Sequence, residues 1–236
     1  MSEEQIATQL TPEAIVTALE QWLGHRHTGY DYVKVGKLLA AADTARFVQQ
    51  NMPLAKIYQR RNQLHQAALR SRRVKGLVLE FGVAGAHSIN FIADQIKDEK
   101  IFGFDSFEGL PEDWTNTYKK GHFAQGLPEV RDNVELLVGW FDRTVPGFLA
   151  SHPGPVSYLH VDCDLYSSTK IIFDLLAERI VPGTVIVFDE FFNYPTWRDH
   201  EFKAFMEFVE ARNIAFRYLG AVNCNKQVAV VIEGRG

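Results

Sequence analysis

Cysteine is nearly absent. The 236-residue chain has two, Cys163 and Cys224, neither in a CxxC pair, which excludes a disulfide framework and thiolate-bound zinc and fits a reducing cytoplasm. A basic excess is also missing: 25 Lys and Arg stand against 29 Asp and Glu, a net charge of -4. No global field therefore favours nucleic acid or an anionic membrane. No run of about 20 apolar residues is long enough to cross a bilayer. The opening MSEEQIATQL carries two acids and lacks the basic and apolar pattern of a signal peptide. The chain has no internal repeat, low-complexity tract or inter-domain linker, and no GxGxxG fingerprint. These absences lead us to expect a cytoplasmic protein with a small-molecule partner, acting on neither nucleic acid nor membrane.

What is present is a large apolar fraction, 46%, enough for one sizeable core. Residues 1–74 read as helical throughout. In TPEAIVTALEQWLG, Thr11 is placed to cap, Pro12 to start and Gly24 to stop a helix with Ile15, Ala18, Leu19, Trp22 and Leu23 apolar. LAKIYQRRNQLHQAALRSRR reads as a second helix with a solvated basic face.

After Val74 the pattern changes to short β-branched runs, GLVLEFG, KIFGFD, VELLVGW, VSYLHVD and GTVIVFD, separated by helical spacings such as AHSINFIADQIKD and SSTKIIFDLLAERI. IAFRYLG and QVAVVIE follow with only a short connector, which predicts an antiparallel hairpin. The expected fold is α/β, Rossmann-like and doubly wound: a mostly parallel seven-stranded sheet over residues 75–236 with a C-terminal antiparallel hairpin, preceded by a helical extension over 1–74.

Ligands in such sheets bind beyond the carboxyl ends of the strands, so the residues closing each strand matter most. The first strand closes in LEFGVAGAHS, where Gly82 and Gly85 allow a tight turn. Asp105 closes the second, 23 residues beyond Gly82, about where nucleotide-binding sheets place the carboxylate for ribose hydroxyls; the competing reading is a turn cap in DSFEGLP. Asp162 closes VSYLHVD, and Asp189 with Glu190 closes VIVFDE. Carboxylates gathered on neighbouring strands repel one another unless a hard cation offsets them. The plainer alternative makes Asp162 or Asp164 an N-cap for the helix near Ser167.

The order LEFGxxxGxxS, FDSFEGLP, GWF, VDCDLYSST and PGTVIVFDEF resembles the class I S-adenosylmethionine-dependent methyltransferases, and within them the macrocin O-methyltransferase-like branch, from about Leu77 to Glu233. The resemblance implies an O-methyltransferase acting on a small-molecule hydroxyl, a sugar of a natural product in this branch. It places Glu80, Gly82 and Ser88 around the methionine part of S-adenosylmethionine, Asp105 at the ribose, and Gly139, Trp140 and Phe141 beside the adenine, with Ser106 and Asp162 also among the cofactor-binding residues. It implies Mg2+ at Asp162, Asp189 and Glu190, where the branch commonly has Asp in place of the last. The lysine base of catechol enzymes falls at Leu165, which argues against a catechol. Asp162 and Asp164 are the catalytic candidates, Asp164 as general base. A homo-oligomer through the N-terminal helices also fits.

Other residues have simpler expectations. His122 reads as a solvated loop residue and His160 as a satisfied core histidine. Trp197 and Arg198 suit either an acceptor or helix-start packing. A nicotinamide-dependent oxidoreductase and a non-catalytic binding protein are the competing classes.

Overall fold

The computed structural model describes residues 12–24 and 29–235. Its helices are α1 (Pro12–Leu23), α2 (Tyr32–Asn51), α3 (Arg61–Arg70), α4 (His87–Gln95), α5 (Phe141–Ser151), α6 (Tyr166–Leu176) and α7 (Glu201–Ala211). Its strands are β1 (Lys56–Tyr58), β2 (Leu77–Phe81), β3 (Ile101–Asp105), β4 (Val134–Val138), β5 (Val156–Val161), β6 (Ile180–Phe188), β7 (Ile214–Val222) and β8 (Val228–Arg235). The sheet order is β1-β7-β8-β6-β5-β2-β3-β4. β8 is antiparallel to both β6 and β7, and the remaining pairs are parallel.

The doubly wound sheet follows from period-two burial. On β2, β5 and β6, Leu79, Phe81, Leu159, Val161, Ile186 and Phe188 face one core with α5, α6 and α7. Val78, Tyr158, Val185 and Val187 face the other, with α3 and α4. Each fully buried Phe or Leu contributes roughly 1.5–3 kcal/mol, so two filled faces fix the register against a one-residue slip.

The sheet has eight strands where the sequence predicts seven. The eighth is β1, inside the stretch read as one continuous helix: Lys56, Ile57 and Tyr58 pair with Gly220, Ala221 and Val222 at the edge of β7. That helix starts only at Arg61, and Leu64, His65, Ala68 and Leu69 of α3 are buried on the sheet. Its basic face is partly engaged, since the Arg72 guanidinium donates to both oxygens of Glu99 at 2.8 and 2.7 Å.

α1 ends at Gly24, whose φ of 76° is left-handed as expected of a stop, while the predicted cap Thr11 lies outside the described residues. The Asp31 carboxylate caps α2 by accepting from the Val33 and Lys34 amides. α2 docks through Ala40, Thr44 and Phe47.

Candidate active site

The carboxyl ends of β2 to β6 open into one cleft of about 620 Å³. Their ends are tied laterally: the amides of Gly82, Gly139, Asp162 and Asp189 donate to the carbonyls of Phe104, Asp105, Phe81 and Val161, each at 2.9 Å. Gly82, Asp105, Ser106, Trp140, Phe141, Asp162, Asp164 and Glu190 line the cleft. Glu80, Ser88, Gly139 and Asp189 lie outside its lining.

The turn after β2 is left-handed at Gly82, Ala84 and Ala86, with φ of 87°, 44° and 59°. Gly85, predicted to supply that freedom, is not left-handed, so two alanines bear a strain of order 1 kcal/mol each. Asp105 compensates. Its Oδ2 accepts from the Val83 and Ala84 amides at 2.8 and 2.9 Å, and its Oδ1 from the Phe107 amide at 2.8 Å. The turn-capping reading of Asp105 is thus present in the structure, and the residue also lines the cleft with one acceptor site of Oδ1 unused by these amides.

Glu80 is fully buried and bound on both oxygens, accepting from Ser88 Oγ at 2.8 Å and pairing with His160 Nδ1 at 2.9 Å. Glu80 and His160 are register partners on β2 and β5. The expectation of a satisfied core histidine holds for one ring nitrogen, while His160 Nε2 is buried and has no hydrogen-bond partner among the described residues.

The four acids around the ends of β5 and β6 differ in surroundings. Burial, then repulsion from Asp189 and Asp164, pushes the Asp162 carboxyl well above the usual range. Burial and Asp189 push Asp164 up to about 7, with Lys226 opposing. Burial pushes Glu190 up to about 8 against the nearby Lys226 ammonium, whose Nζ donates to Glu190 Oε1 at 2.8 Å. Asp189 Oδ1 accepts from Gln227 at 2.9 Å. Neither Asp162 nor Asp164 caps α6, whose N-cap residue is Leu165 without a side-chain bond. Asp164 instead takes a left-handed backbone, φ 62°.

Of the predicted cation ligands, the structure groups Asp162 and Asp189 together and adds His160, with ligand atoms within 4.8 Å of one another. Glu190 is paired with Lys226 and lies outside this grouping. Two acids with an imidazole, buried and mutually repelling, are a donor set that fits a divalent cation.

Two charged residues escaped the sequence reading. Lys226 sits in a hairpin connector with no motif to mark it. Glu201, at the start of α7, is fully buried, pushed up by burial and by Glu190, and accepts from the Glu190 amide at 3.0 Å. An acid opening an amphipathic helix looks in sequence like a dipole partner.

A long loop between β3 and β4 roofs the cleft. Trp114 and Tyr118 stack at 5.3 Å, and Ser167 Oγ of α6 donates to Glu112 of the loop at 2.6 Å. His122 is exposed, as expected, though its ring contacts Tyr118 and Phe123. Trp197 is buried against Phe47 and Phe202, and Arg198 lies 4.1 Å over Trp197 and pairs with Asp43. Their role is packing onto α2.

An open α/β sheet with this β7-β8 ending and a cleft at its strand ends defines a Rossmann-like methyltransferase fold. Residues 79–191 match the family model described as "Methyltransferase domain". The chain is 30% identical over 112 residues to 8-demethyl-8-(2,3-dimethoxy-alpha-L-rhamnosyl)-tetracenomycin-C 4'-O-methyltransferase of Streptomyces olivaceus. That match spans 39% of this chain and 42% of the relative's length. The calicheamicin methyltransferase CalS11 shares the fold, with a TM-score of 0.60 at 21% identity over 94% of both chains. So does the O-methyltransferase NovP, with a TM-score of 0.57 at 20% identity over 74% of this chain and 80% of its own.

Proposed function

We propose that the protein is an S-adenosylmethionine-dependent O-methyltransferase acting on a hydroxyl of a sugar carried by a natural product, with Mg2+ bound at the acidic strand ends. The observation that carries the reading is the convergence of Asp105, Trp140, Phe141, Asp162 and Asp164 on one cleft. The rhamnosyl substrate in the printed name of the Streptomyces relative supports the sugar.

In this reading Asp105 receives the ribose hydroxyls, with Ser106 beside it, and Trp140 and Phe141 flank the adenine. Gly82 brings the β2 turn close to the methionine portion, beneath which Glu80 and Ser88 hold each other. Methyl transfer is an in-line displacement: the acceptor oxygen forms the new C–O bond, the C–S bond breaks, and its electron pair stays on sulfur. The proton of the hydroxyl passes to Asp164, which lines the cleft beside Asp162. A bound divalent cation lowers the pKa of a hydroxyl placed on it. Asp162 and Asp189 would hold that cation. The part of the N-terminal extension that precedes β1 serves as a cap or as the contact to a second copy, a role that the exposed Leu39 and Leu54 support.

The test is incubation with methyl-labelled S-adenosylmethionine and a neutral rhamnosyl glycoside, with and without Mg2+. Label recovered as a sugar methyl ether supports the proposal. Label recovered on nitrogen or carbon, or none transferred to a panel of glycosides by protein that binds S-adenosylhomocysteine, contradicts it.

A further inference from the structure

We infer that His160, through Nε2, is the third protein ligand of the cation, with Asp162 and Asp189, and that the site therefore favours a borderline transition ion such as Mn2+ over Mg2+. The inference rests on the preceding reading only in that a divalent cation binds at these strand ends.

Three observations carry it. First, a His160 ring nitrogen and one carboxylate oxygen each from Asp162 and Asp189 lie within 4.8 Å of one another, close enough for one ion to touch all three. Second, Glu80 takes Nδ1 at 2.9 Å and so fixes the tautomer, leaving Nε2 as a buried nitrogen without a hydrogen-bond partner among the described residues. A carboxylate holding the far nitrogen of a histidine is the usual support of a metal-bound imidazole, because it orients the ring and raises its basicity. Asp189 has comparable support from Gln227. Third, Glu190, the alternative third donor, is engaged by Lys226. The Trp114 and Tyr194 rings, 5.6 and 5.2 Å from Nζ, hold that ammonium beside Glu190.

Ligand identity sets preference. Mg2+ favours all-oxygen shells and keeps much of its water, whereas imidazole shifts affinity toward Mn2+ and later ions. His160 lies on β5, and Asp162 and Asp189 follow directly on the ends of the paired strands β5 and β6, so the site is built on rigid backbone.

Pulsed electron paramagnetic resonance of Mn2+ bound to the wild-type protein tests this without turnover. We expect nitrogen modulation from a directly bound imidazole and Mn2+ affinity about tenfold or more above that for Mg2+. His160→Gln should abolish the modulation and weaken Mn2+ by about tenfold or more, with Glu190→Gln within a few-fold of wild type. The wild-type spectrum stands even if the buried His160→Gln fails to fold. Mn2+ bound without nitrogen modulation, and weakened by Glu190→Gln, would overturn this inference while leaving the cation in the proposed function. No divalent ion bound at all would overturn both.

Discussion

Gly82 lies directly against the carbonyl of Asp162: a Cβ built on it would stand 1.7 Å from that oxygen, on a backbone of φ 87°. The β2 turn and the acidic end of β5 are therefore one unit, and any side chain at 82 must push them apart. Gly82→Ala is expected to cost about 2–4 kcal/mol through clash and backbone strain together. It should also weaken S-adenosylhomocysteine binding, because the displaced turn carries the Val83 and Ala84 amides away from Asp105. Urea unfolding and calorimetry check the two parts; a folded variant of wild-type stability would contradict the coupling.

Asp105 has two duties, and substitution separates them. Asp105→Ala removes the acceptor for three amides and for the ribose, and is expected to lower cofactor affinity by roughly 1–3 kcal/mol. Unchanged affinity in the folded variant would leave Asp105 as a turn cap alone.

Stability should depend on pH in an unusual direction for acids. The folded carboxyls of Asp164 and Glu190 are raised to about 7 and about 8, so between their ordinary values and these the folded protein holds more protons than the unfolded chain. Their contribution is present at low pH and is lost as pH rises through the folded values. Metal-free protein should have a lower urea midpoint at about pH 8.5 than at about pH 5.5, and a divalent cation should abolish the difference. A midpoint that climbs across this window would contradict the buried acid cluster.

Lys226 lowers the proton affinity of Asp164 and Glu190. Lys226→Met is expected to move the acidic limb of the kcat/KM profile to higher pH, with Lys226→Arg close to wild type. A limb that stays in place would remove Lys226 from the electrostatics of the base.

Arg198 tests packing against acceptor binding. Arg198→Ala should cost about 1 kcal/mol through loss of the Trp197 stack and the exposed Asp43 pair, with acceptor KM unchanged. A large rise in KM without loss of stability would return Arg198 to the acceptor site.

The central strands and their acidic ends were readable because buried parallel strands are continuous apolar runs, against which Asp105, Asp162 and Asp189 stand out. β1 was not, because three residues in a helix-favouring stretch become a strand only through the distant edge of β7. The role of Glu190 was hidden for a related reason. Its partner Lys226 is 36 residues away, and only folding brings the two together. His160 looked like core because its burial is visible as sequence texture, whereas an unpartnered Nε2 is a property of geometry.

The central claim is that the cleft at the strand ends holds S-adenosylmethionine. Isothermal titration of the whole protein with S-adenosylhomocysteine and, separately, with NAD tests it most directly. The account predicts one S-adenosylhomocysteine per chain, weakened by Asp105→Ala, and no NAD binding; NAD binding without S-adenosylhomocysteine binding would contradict it.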